Sequence, residues 1–400
     1  MRLAIIATLP ALLWARSQST PDQGTPVVTL PHTPHLLLSA QRLKRLKRDR
    51  ERQTPRWANF ADRIENEPDS PERGFELALF YAVTGDESKG REAVKWANAH
   101  PCEPRQLALI RDWCPTLVPQ QWPKAACPGA NNGALSSLRD QLFTNAAAGE
   151  DTEAELESDK NVLIEKLRAG DFGNPKELYA AFEYLSAARS VERIDLREED
   201  SQFFTSLPIE LLLNVKPDAV EHPDWQTHIA ALALVSLDPN LDSSQFLQAW
   251  AIEDGQTIRD GQGVAYEFLW ADPYLPGVGY QNLDPWLYDV GRGMLVGRSN
   301  WSARACWIRI TPGNVQDELC PEGWQSKPLS LGRLTLIPKT EKCAKLPKRD
   351  GNESTILWKL PPRTNLTYID GKTQQTTVAD RSGMWRVPSN ATVQACTATP

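Results

Sequence analysis

The segment 263–289 concentrates side chains that could hold a sugar and transfer a proton. It contains four tyrosines, two tryptophans, an asparagine and several carboxylates within "GVAYEFLWADPYLPGVGYQNLDPWLYD". Tyr and Trp combine a flat apolar ring with a polar group, which suits stacking on a sugar ring together with hydrogen bonding. We take Tyr266 and Tyr280 as candidate acid–base residues. The candidate substrate contacts in this segment are Glu267, Trp270, Tyr274, Asn282 and Trp286.

Two of the five histidines, His222 and His228, lie before and within the predicted helix of "EHPDWQTHIAALAL". An unperturbed imidazole has a pKa of about 6.5, so either residue could act as a neutral base near physiological pH. A tyrosine base would need nearby cations to lower its pKa from about 10, and Arg298 is a candidate cation.

In a purely structural role, His222 would lie on the surface and His228 in the core. The aromatic segment would then be a packed connector between two domains.

The overall charge argues against a nucleic-acid partner. The formal net charge is -7 and the pI is about 5.5, whereas phosphate binding usually needs a basic face. The one basic run, "RLKRLKRDRER" at 42–52, is typical of the solvated side of a helix. No Cys/His cluster has the spacing of a zinc site, and no glycine-rich phosphate loop is present. We therefore expect no metal and no cofactor.

The N-terminus, "MRLAIIATLPALLWARSQS", has the pattern of a signal peptide. Arg2 supplies positive charge, an apolar run follows, and Ala15 and Ser17 are small residues at a cleavage site. We predict a signal peptide at 1–17 and an extended leader at 18–34. No later stretch is long and apolar enough for a transmembrane helix. The predicted location is the periplasm or the cell exterior, with no membrane insertion after cleavage.

The seven cysteines fit an exported protein, because disulfides persist in oxidising compartments. The odd total leaves at least one thiol unpaired. It is most simply one of the early three, Cys102, Cys114 and Cys127. The late four could form two bridges, and their spacing does not choose among the three possible pairings. These four are Cys306, Cys320, Cys343 and Cys396.

Periodicity divides the rest of the chain into a helical part and a strand part. Residues 35–272 show apolar residues at helical spacing, including the hairpin pattern "PERGFELALFYAVTGDESKGREAVKWANAH". Residues 273–290 are rich in Pro and Gly and form the predicted connector. Residues 291–400 hold short alternating segments such as "GRLTLIP" and "LTYIDG", which predict an antiparallel sandwich. The predicted fold class is multidomain α+β.

Four segments, in this order, resemble heparinase II/III-like and alginate-lyase-like proteins. "HLLLSAQRLKRLK" (35–47) is similar to their entry segment, "ALFYAVTGDESKGREAVKW" (78–96) to their first helical hairpin, and "RQLALIRDWC" (105–114) to the next helix. "VGRSNWSARACWIRI" (296–310) resembles their first sandwich strand, in which an Arg-Ser-x-Trp element precedes an apolar run. The resemblance implies an incomplete α/α toroid of helical hairpins followed by an antiparallel β-sandwich.

The resemblance also implies a chemistry and a partner. In that family the cleft between the domains binds acidic polysaccharides and cleaves them by β-elimination at a uronic acid. A base removes the proton α to a carboxylate, donors neutralise that carboxylate, and an acid protonates the leaving oxygen. The implied partner is a polysaccharide or an oligosaccharide. The implied roles are base or acid for Tyr280 or Tyr266, partner for His222 or His228, and neutraliser for Asn282 or Arg298.

Two other classes of function remain open. The family's sandwich normally supplies a histidine shortly after the Arg-Ser-x-Trp element, whereas no histidine follows His228 in this chain. The first alternative is therefore a non-catalytic glycan-binding or scaffold protein on the same fold. The second is an inverting glycoside hydrolase, which needs two carboxylates roughly 6.5–9.5 Å apart. Glu267 and Asp284 are the candidate pair.

Overall fold

A computed structural model of the chain describes most residues from Leu36 to Cys396, and beyond residue 322 it describes only the backbone of the strands. The predicted signal peptide at 1–17 and the leader at 18–34 lie outside the described residues. The described ranges are 36–119, 122, 134–169, 174–219, 224–253, 257–289, 292, 294–311, 314–322, 329–331, 334–336, 343–345, 354–357, 365–370, 373–378, 384–387 and 392–396.

The first part of the chain is helical, as its periodicity predicts. The described residues up to Trp270 form α1 (Ala40–Glu51), α2 (Pro55–Asn66), α3 (Arg73–Thr84), α4 (Glu87–Ala99), α5 (Pro104–Trp113), α6 (Ala134–Ala148), α7 (Glu153–Ala169), α8 (Pro175–Val191), α9 (Ser201–Asn214), α10 (Trp225–Leu237), α11 (Asp242–Ala251) and α12 (Gly263–Trp270).

Local capping explains where several helices begin and end. The side chains of Ser39, Thr54 and Asp224 accept backbone N–H groups in the first turns of α1, α2 and α10. Proline occupies the first turn of α2, α5 and α8, where its missing N–H is not needed. Helix α3 ends at Thr84, and the residue that follows, Gly85, has a φ of 77° in the left-handed region. Glycine adopts that conformation without a steric penalty, so the predicted "TGD" turn forms there.

Seven helices pack against one another in a closed cycle of neighbours. In order, α2 contacts α3, α3 contacts α5, and the cycle continues through α6, α8, α10 and α12 back to α2. The remaining helices pack on this set: α1 and α4 on α3, α7 on α6 and α8, and α9 and α11 on α10. Apolar side chains cover more than one face of α10, from Ile229 to Leu237, because the helix has packed neighbours on several sides.

The basic helix α1 is only partly solvated. Lys44, Lys47 and Arg48 are exposed, but Arg45 is buried and donates to the carbonyl oxygens of Leu269 and Ala271 at the end of α12. These carbonyls have no partner within their own helix, and a cation is favoured at the negative end of a helix dipole. The expectation of a wholly solvated basic run is therefore wrong at Arg45.

The second part of the chain consists of antiparallel strands. One four-stranded sheet has the order β1 (Trp286–Asp289), β2 (Met294–Arg298), β3 (Trp307–Thr311), β4 (Asn314–Glu318). The later strands are β5 (Leu329–Leu331), β6 (Leu334–Leu336), β7 (Cys343–Lys345), β8 (Ser354–Leu357), β9 (Asn365–Asp370), β10 (Thr373–Val378), β11 (Met384–Val387) and β12 (Thr392–Cys396). They pair as a second four-stranded sheet, β10-β9-β12-β7, and as two strand pairs, β11-β8 and β5-β6.

The first sheet is attached to helix α9. Leu213, Met294, Val296 and Trp307 form a buried apolar cluster, and the indole N–H of Trp307 donates to the carbonyl oxygen of Leu213 at 2.8 Å. Strand β1 begins inside the segment that the sequence assigns to the connector, 273–290. The α+β division is therefore observed, while the toroid and the sandwich remain predictions.

The cysteines behave partly as predicted. Cys306 and Cys320 form a disulfide bond. Cys102 is also disulfide-bonded, while Cys114 is a buried free thiol, which confirms an unpaired cysteine among the early three. Cys343 and Cys396 are directly opposite each other in the register of β7 and β12.

Within the described residues, no helix combines the length and the apolar character that crossing a membrane requires.

We expect Gly74→Ala to destabilise the helical part, because an added Cβ would overlap the indole ring of Trp96. Overpacking of this kind typically costs about 1–3 kcal/mol. The free energy of unfolding in urea measures it. In a Trp96→Leu background the same substitution should cost less, since the smaller side chain relieves the overlap. An equal cost in both backgrounds would contradict the packing described.

Candidate functional site

A cavity of about 320 Å³ lies where the N-terminal ends of several helices meet. Its walls come from the first two turns of α5, α6, α8, α10 and α12 and from the residue that precedes α3. Helix N-termini carry partial positive charge. The first-turn N–H groups of α6 and α10 are already bonded to the side chains of Glu177 and Asp224. Polar and aromatic side chains dominate the lining, among them Glu72, Glu103, Asp140, Lys176, Trp225, Gln226, Gln262 and Tyr266.

A buried carboxylate behind the cavity wall holds two arginines in place. Glu183 is fully buried and accepts from Arg105 Nε at 2.9 Å and Nη2 at 2.7 Å, and from Arg139 Nη1 at 2.9 Å. The Tyr179 hydroxyl donates to the same carboxylate at 2.6 Å. Burial alone would raise the pKa of Glu183, but the charges of Arg105 and Arg139 and these hydrogen bonds lower it below its ordinary value. The carboxylate therefore stays ionised.

Tyr266 brings a neutral hydroxyl to the cavity. Its ring lies 5.1 Å from the guanidinium carbon of Arg105 and packs against Phe75, with ring centroids 4.8 Å apart. Burial raises the pKa of Tyr266 well above its ordinary value, although the charge of Arg105 opposes that shift. No described side chain bonds to this hydroxyl, so it can donate to a ligand as a neutral O–H group.

Three carboxyl groups lie on the cavity wall, and the pKa of one of them is raised. Glu72 pairs with Arg105 at 3.1 Å, and Asp140 pairs with Arg139 at 2.7 Å. Partial loss of hydration raises the pKa of Glu103, and the charges of Glu72 and Asp140 add to the effect. A carboxyl group with a raised pKa is a better general acid or base near neutral pH than an ordinary one.

His100, at the end of α4, lies beside Glu103. Its ring stacks on that of Trp96 with a centroid distance of 4.2 Å, and its Nδ1 lies 2.8 Å from the carbonyl oxygen of Trp96. A carbonyl oxygen only accepts, so Nδ1 carries the hydrogen and Nε2 is the acceptor of the neutral ring. The ring is exposed and close enough to influence the ionisation of Glu103.

The structure separates the other candidates that the sequence suggests. His228 is buried, and its Nε2 lies 2.9 Å from Glu267, which also accepts from Arg56 at 2.7 Å. This cluster joins α2, α10 and α12, and neither His228 nor Glu267 lines the cavity. Tyr266 is the one candidate residue among the cavity-lining side chains.

Trp270 and Tyr274 lie towards the other end of α12 from the cavity-lining Gln262. Trp270 is buried, and its indole N–H donates to the Tyr179 hydroxyl at 2.9 Å, so it supports the cavity from behind. Tyr274 is 56% exposed and contacts Arg48 and Arg52.

The remaining candidates lie near the first sheet. Tyr280 is buried edge-on against Trp301, and Arg298 is fully buried with its guanidinium 4.9 Å from the same ring. Burial lowers the pKa of Arg298 to about 10. Asn282 and Asp284 are exposed, Trp286 is half-buried in β1, and none of the three lines the cavity. His222 lies outside the described residues.

The segment that joins the two parts packs closely on α11. The N–H of Val278 donates to the carbonyl oxygen of Gln245 at 3.0 Å, and Gly277 lies against Ala249 so closely that a Cβ would come within 3.2 Å of its Cα. The amide of Gln248 donates to the carbonyl oxygen of Asp272 at 2.9 Å. These contacts give the segment a structural role as a joint.

Sequence reasoning missed Glu103, His100 and Glu183. The local signal for Glu103 was its position directly before Pro104, since proline in a first turn marks a helix start. No local signal showed that this helix start faces those of α8 and α10. The charge partner of Arg105 is 78 residues away in sequence, so periodicity could not reveal it.

We expect Glu183→Gln to lower the free energy of unfolding by about 3–5 kcal/mol, because it removes the buried carboxylate that two buried guanidinium groups share and leaves each with one remaining partner, Glu72 or Asp140. The folded-state pKa of Glu183 lies below its ordinary value of 4.5. Its contribution is therefore complete above about pH 4.5 and is lost as the pH falls through the folded-state pKa.

Urea unfolding between neutral and acidic pH measures this difference. The matched control is Glu87→Gln, which removes an exposed pair with Arg91 and should change stability by about 0.5 kcal/mol or less. A loss for Glu183→Gln no larger than that of the control, or a loss that grows on acidification, would contradict the buried network.

Comparisons with known protein families and with curated proteins find no match for this chain.

Proposed function

We propose that this chain is an exported carbohydrate-active protein of the heparinase II/III-like kind, with its saccharide site in the helical cavity. The observation that carries the proposal is the convergence of helix N-termini on a cavity lined by aromatic rings, amides and carboxyl groups. Aromatic rings with a few convergent polar groups are the usual composition of a small-molecule site. The proposed location is the periplasm or the cell exterior, on the strength of the N-terminal pattern.

The arrangement of helices supports the proposed architecture. An α/α toroid needs inner helices that contact one another in a cycle and outer helices that pack on them. The contacts from α2 through α12 follow such a cycle, and α4, α9 and α11 pack on its members. The proposed β-sandwich would comprise the antiparallel strands from β2 onward.

Sugar recognition would use two of the cavity aromatics, Trp225 and Tyr266, and the amides beside them. The rings of Trp225 and Tyr266 are 5.9 Å apart at 33°, and Trp225 is half-buried on the cavity wall. Gln226 and Gln262 each carry an amide that can donate to and accept from a sugar hydroxyl. Gln106 is already committed, since its side chain bonds to the backbone of Phe75 and Pro71.

For β-elimination, the cavity offers one group for each role. Glu103 would take the proton α to the substrate carboxylate, and the electron pair of the broken C–H bond forms the new double bond. The glycosidic C–O bond breaks, and Tyr266 donates its proton to the leaving oxygen. Its raised pKa supports the role of acid rather than base. Lys176 would neutralise the substrate carboxylate.

A non-catalytic glycan-binding protein is the second candidate, and a specific observation favours it. The guanidinium groups of Arg105 and Arg139 are already paired with Glu183, Glu72 and Asp140. Among the described cavity-lining residues, Lys176 is the one cation without an ion-pair partner. A single exposed lysine is a modest neutraliser for an enolate-like intermediate, so the cavity could hold a sugar without cleaving it.

We expect Tyr266→Phe to lower kcat by roughly 10²–10⁴-fold on a uronate polysaccharide, with KM changed little, because the proton donor acts in the transition state. Glu103→Gln should lower kcat similarly and remove the acidic limb of the pH profile. The absorbance of unsaturated products measures turnover on alginate, heparan and pectate-type substrates. The matched controls Tyr81→Phe and Glu87→Gln alter the same side-chain types outside the cavity, at the half-buried Tyr81 of α3 and the exposed Glu87 of α4, and should keep full activity.

Calorimetric binding of short oligosaccharides separates the two candidates. Binding that Trp225→Ala abolishes, without any product, supports the non-catalytic protein. The absence of both binding and turnover would contradict the proposed function.

A further inference from the structure

The exposed face of α1 carries a row of positive charges that ends at an exposed tyrosine. Lys44, Arg48 and Arg52 follow one another at four-residue spacing, so they lie along one face over about 12 Å. Tyr274 lies at the end of this row: the guanidinium carbon of Arg48 is 5.2 Å from its ring centroid, and Arg52 donates to its hydroxyl at 3.3 Å. We call these four residues the α1 ridge.

Within the described residues, the ridge cations keep their charge without an ion-pair partner. Lys44, Arg48 and Arg52 form no ion pair with a carboxylate in the part of the chain that the structure describes, and the same holds for the adjacent Lys47. The nearby Asp272 lies 4.0 Å from the buried Arg45 instead. In a chain with a net charge of -7, these four exposed cations outnumber the one exposed carboxylate of α1, Glu51, and give the helix a positively charged surface.

The ridge lies apart from the cavity. Gln262 and Tyr266 reach the cavity from the first turns of α12, whereas Tyr274 follows the C-terminal end of that helix. Arg45 joins α1 to the same C-terminal end through the carbonyl oxygens of Leu269 and Ala271. A ligand on the ridge would therefore engage a different surface from a ligand in the cavity.

We propose that the α1 ridge binds an acidic polysaccharide chain, with Lys44, Arg48 and Arg52 on successive acidic groups and the ring of Tyr274 against a sugar face. A linear polyanion matches a linear row of cations in charge and in shape. The ring is 56% exposed, so it keeps free surface for stacking. The buried face of α1 includes Leu46, Arg45 and Asp49, so α1 has no free apolar stripe for insertion into a lipid surface. Single-stranded nucleic acid usually needs several aromatic platforms, and this ridge has one.

The ridge is tested by affinity electrophoresis or calorimetry on the full-length protein, with polygalacturonate as the acidic probe and a neutral glucan as the reference. The triple variant Lys44→Ala/Arg48→Ala/Arg52→Ala should weaken polygalacturonate binding at least about tenfold, since three surface ion pairs are lost. Wild-type binding should weaken at salt on the order of 1 M, where charges are screened beyond about 3 Å. Tyr274→Ala should reduce affinity while keeping the salt dependence.

The matched control is Arg91→Ala/Lys95→Ala/Lys166→Ala, which removes the same net charge from exposed positions on other helices. Equal losses in the two triple variants would overturn the proposal, because they would indicate a non-specific charge effect. The proposal would also be overturned if anionic vesicles or single-stranded DNA bound the ridge more tightly than polygalacturonate does. Trp225→Ala should leave ridge binding intact, so failure of the cavity proposal and failure of the ridge proposal give different results.

Discussion

The arrangement of the cavity depends on one buried carboxylate, Glu183, and on the two arginines that share it. A fully buried carboxylate without cations would shift its pKa upward and become neutral. Arg105 and Arg139 prevent this, and each donates a charge-assisted hydrogen bond of 2.7–2.9 Å. Because Arg105 lies on α5, Arg139 on α6 and Glu183 on α8, this ion cluster also fixes three helices of the cycle relative to one another.

The same cluster sets the chemistry at the surface of the cavity. The cations of this cluster, Arg105 and Arg139, form ion pairs with Glu183, Glu72 and Asp140. Glu103 is the cavity-lining carboxyl group whose pKa is raised. Burial raises the pKa of Tyr266 against the opposing charge of Arg105, so its hydroxyl remains protonated. The cavity therefore combines a neutral donor and a titratable carboxyl group, which are the minimum components of acid–base chemistry on a sugar.

The sequence could predict the local elements but only part of the site. Apolar spacing and the Gly85 turn identify the α3–α4 hairpin, and alternation identifies the strands, because both signals are local. Tyr266 was recognised from its aromatic surroundings. The pairing of Arg105 with Glu183 arises from helix packing over long sequence separation, and Glu103 gains its raised pKa from neighbours on other segments. His228 was a reasonable candidate base by type, yet its side of α10 faces the core.

The central claim is that the cavity at the helix N-termini is the saccharide site. Backbone hydrogen exchange with and without a bound oligosaccharide tests it most directly, because the ligand would cover the helix turns that line the cavity and reduce their opening to solvent. We expect the ligand to add protection to the backbone amides of residues 103–106, 225–229 and 262–266, and none to those of the connector 273–290. Protection confined to the connector and the first sheet, or no protection at a saturating ligand concentration, would contradict it.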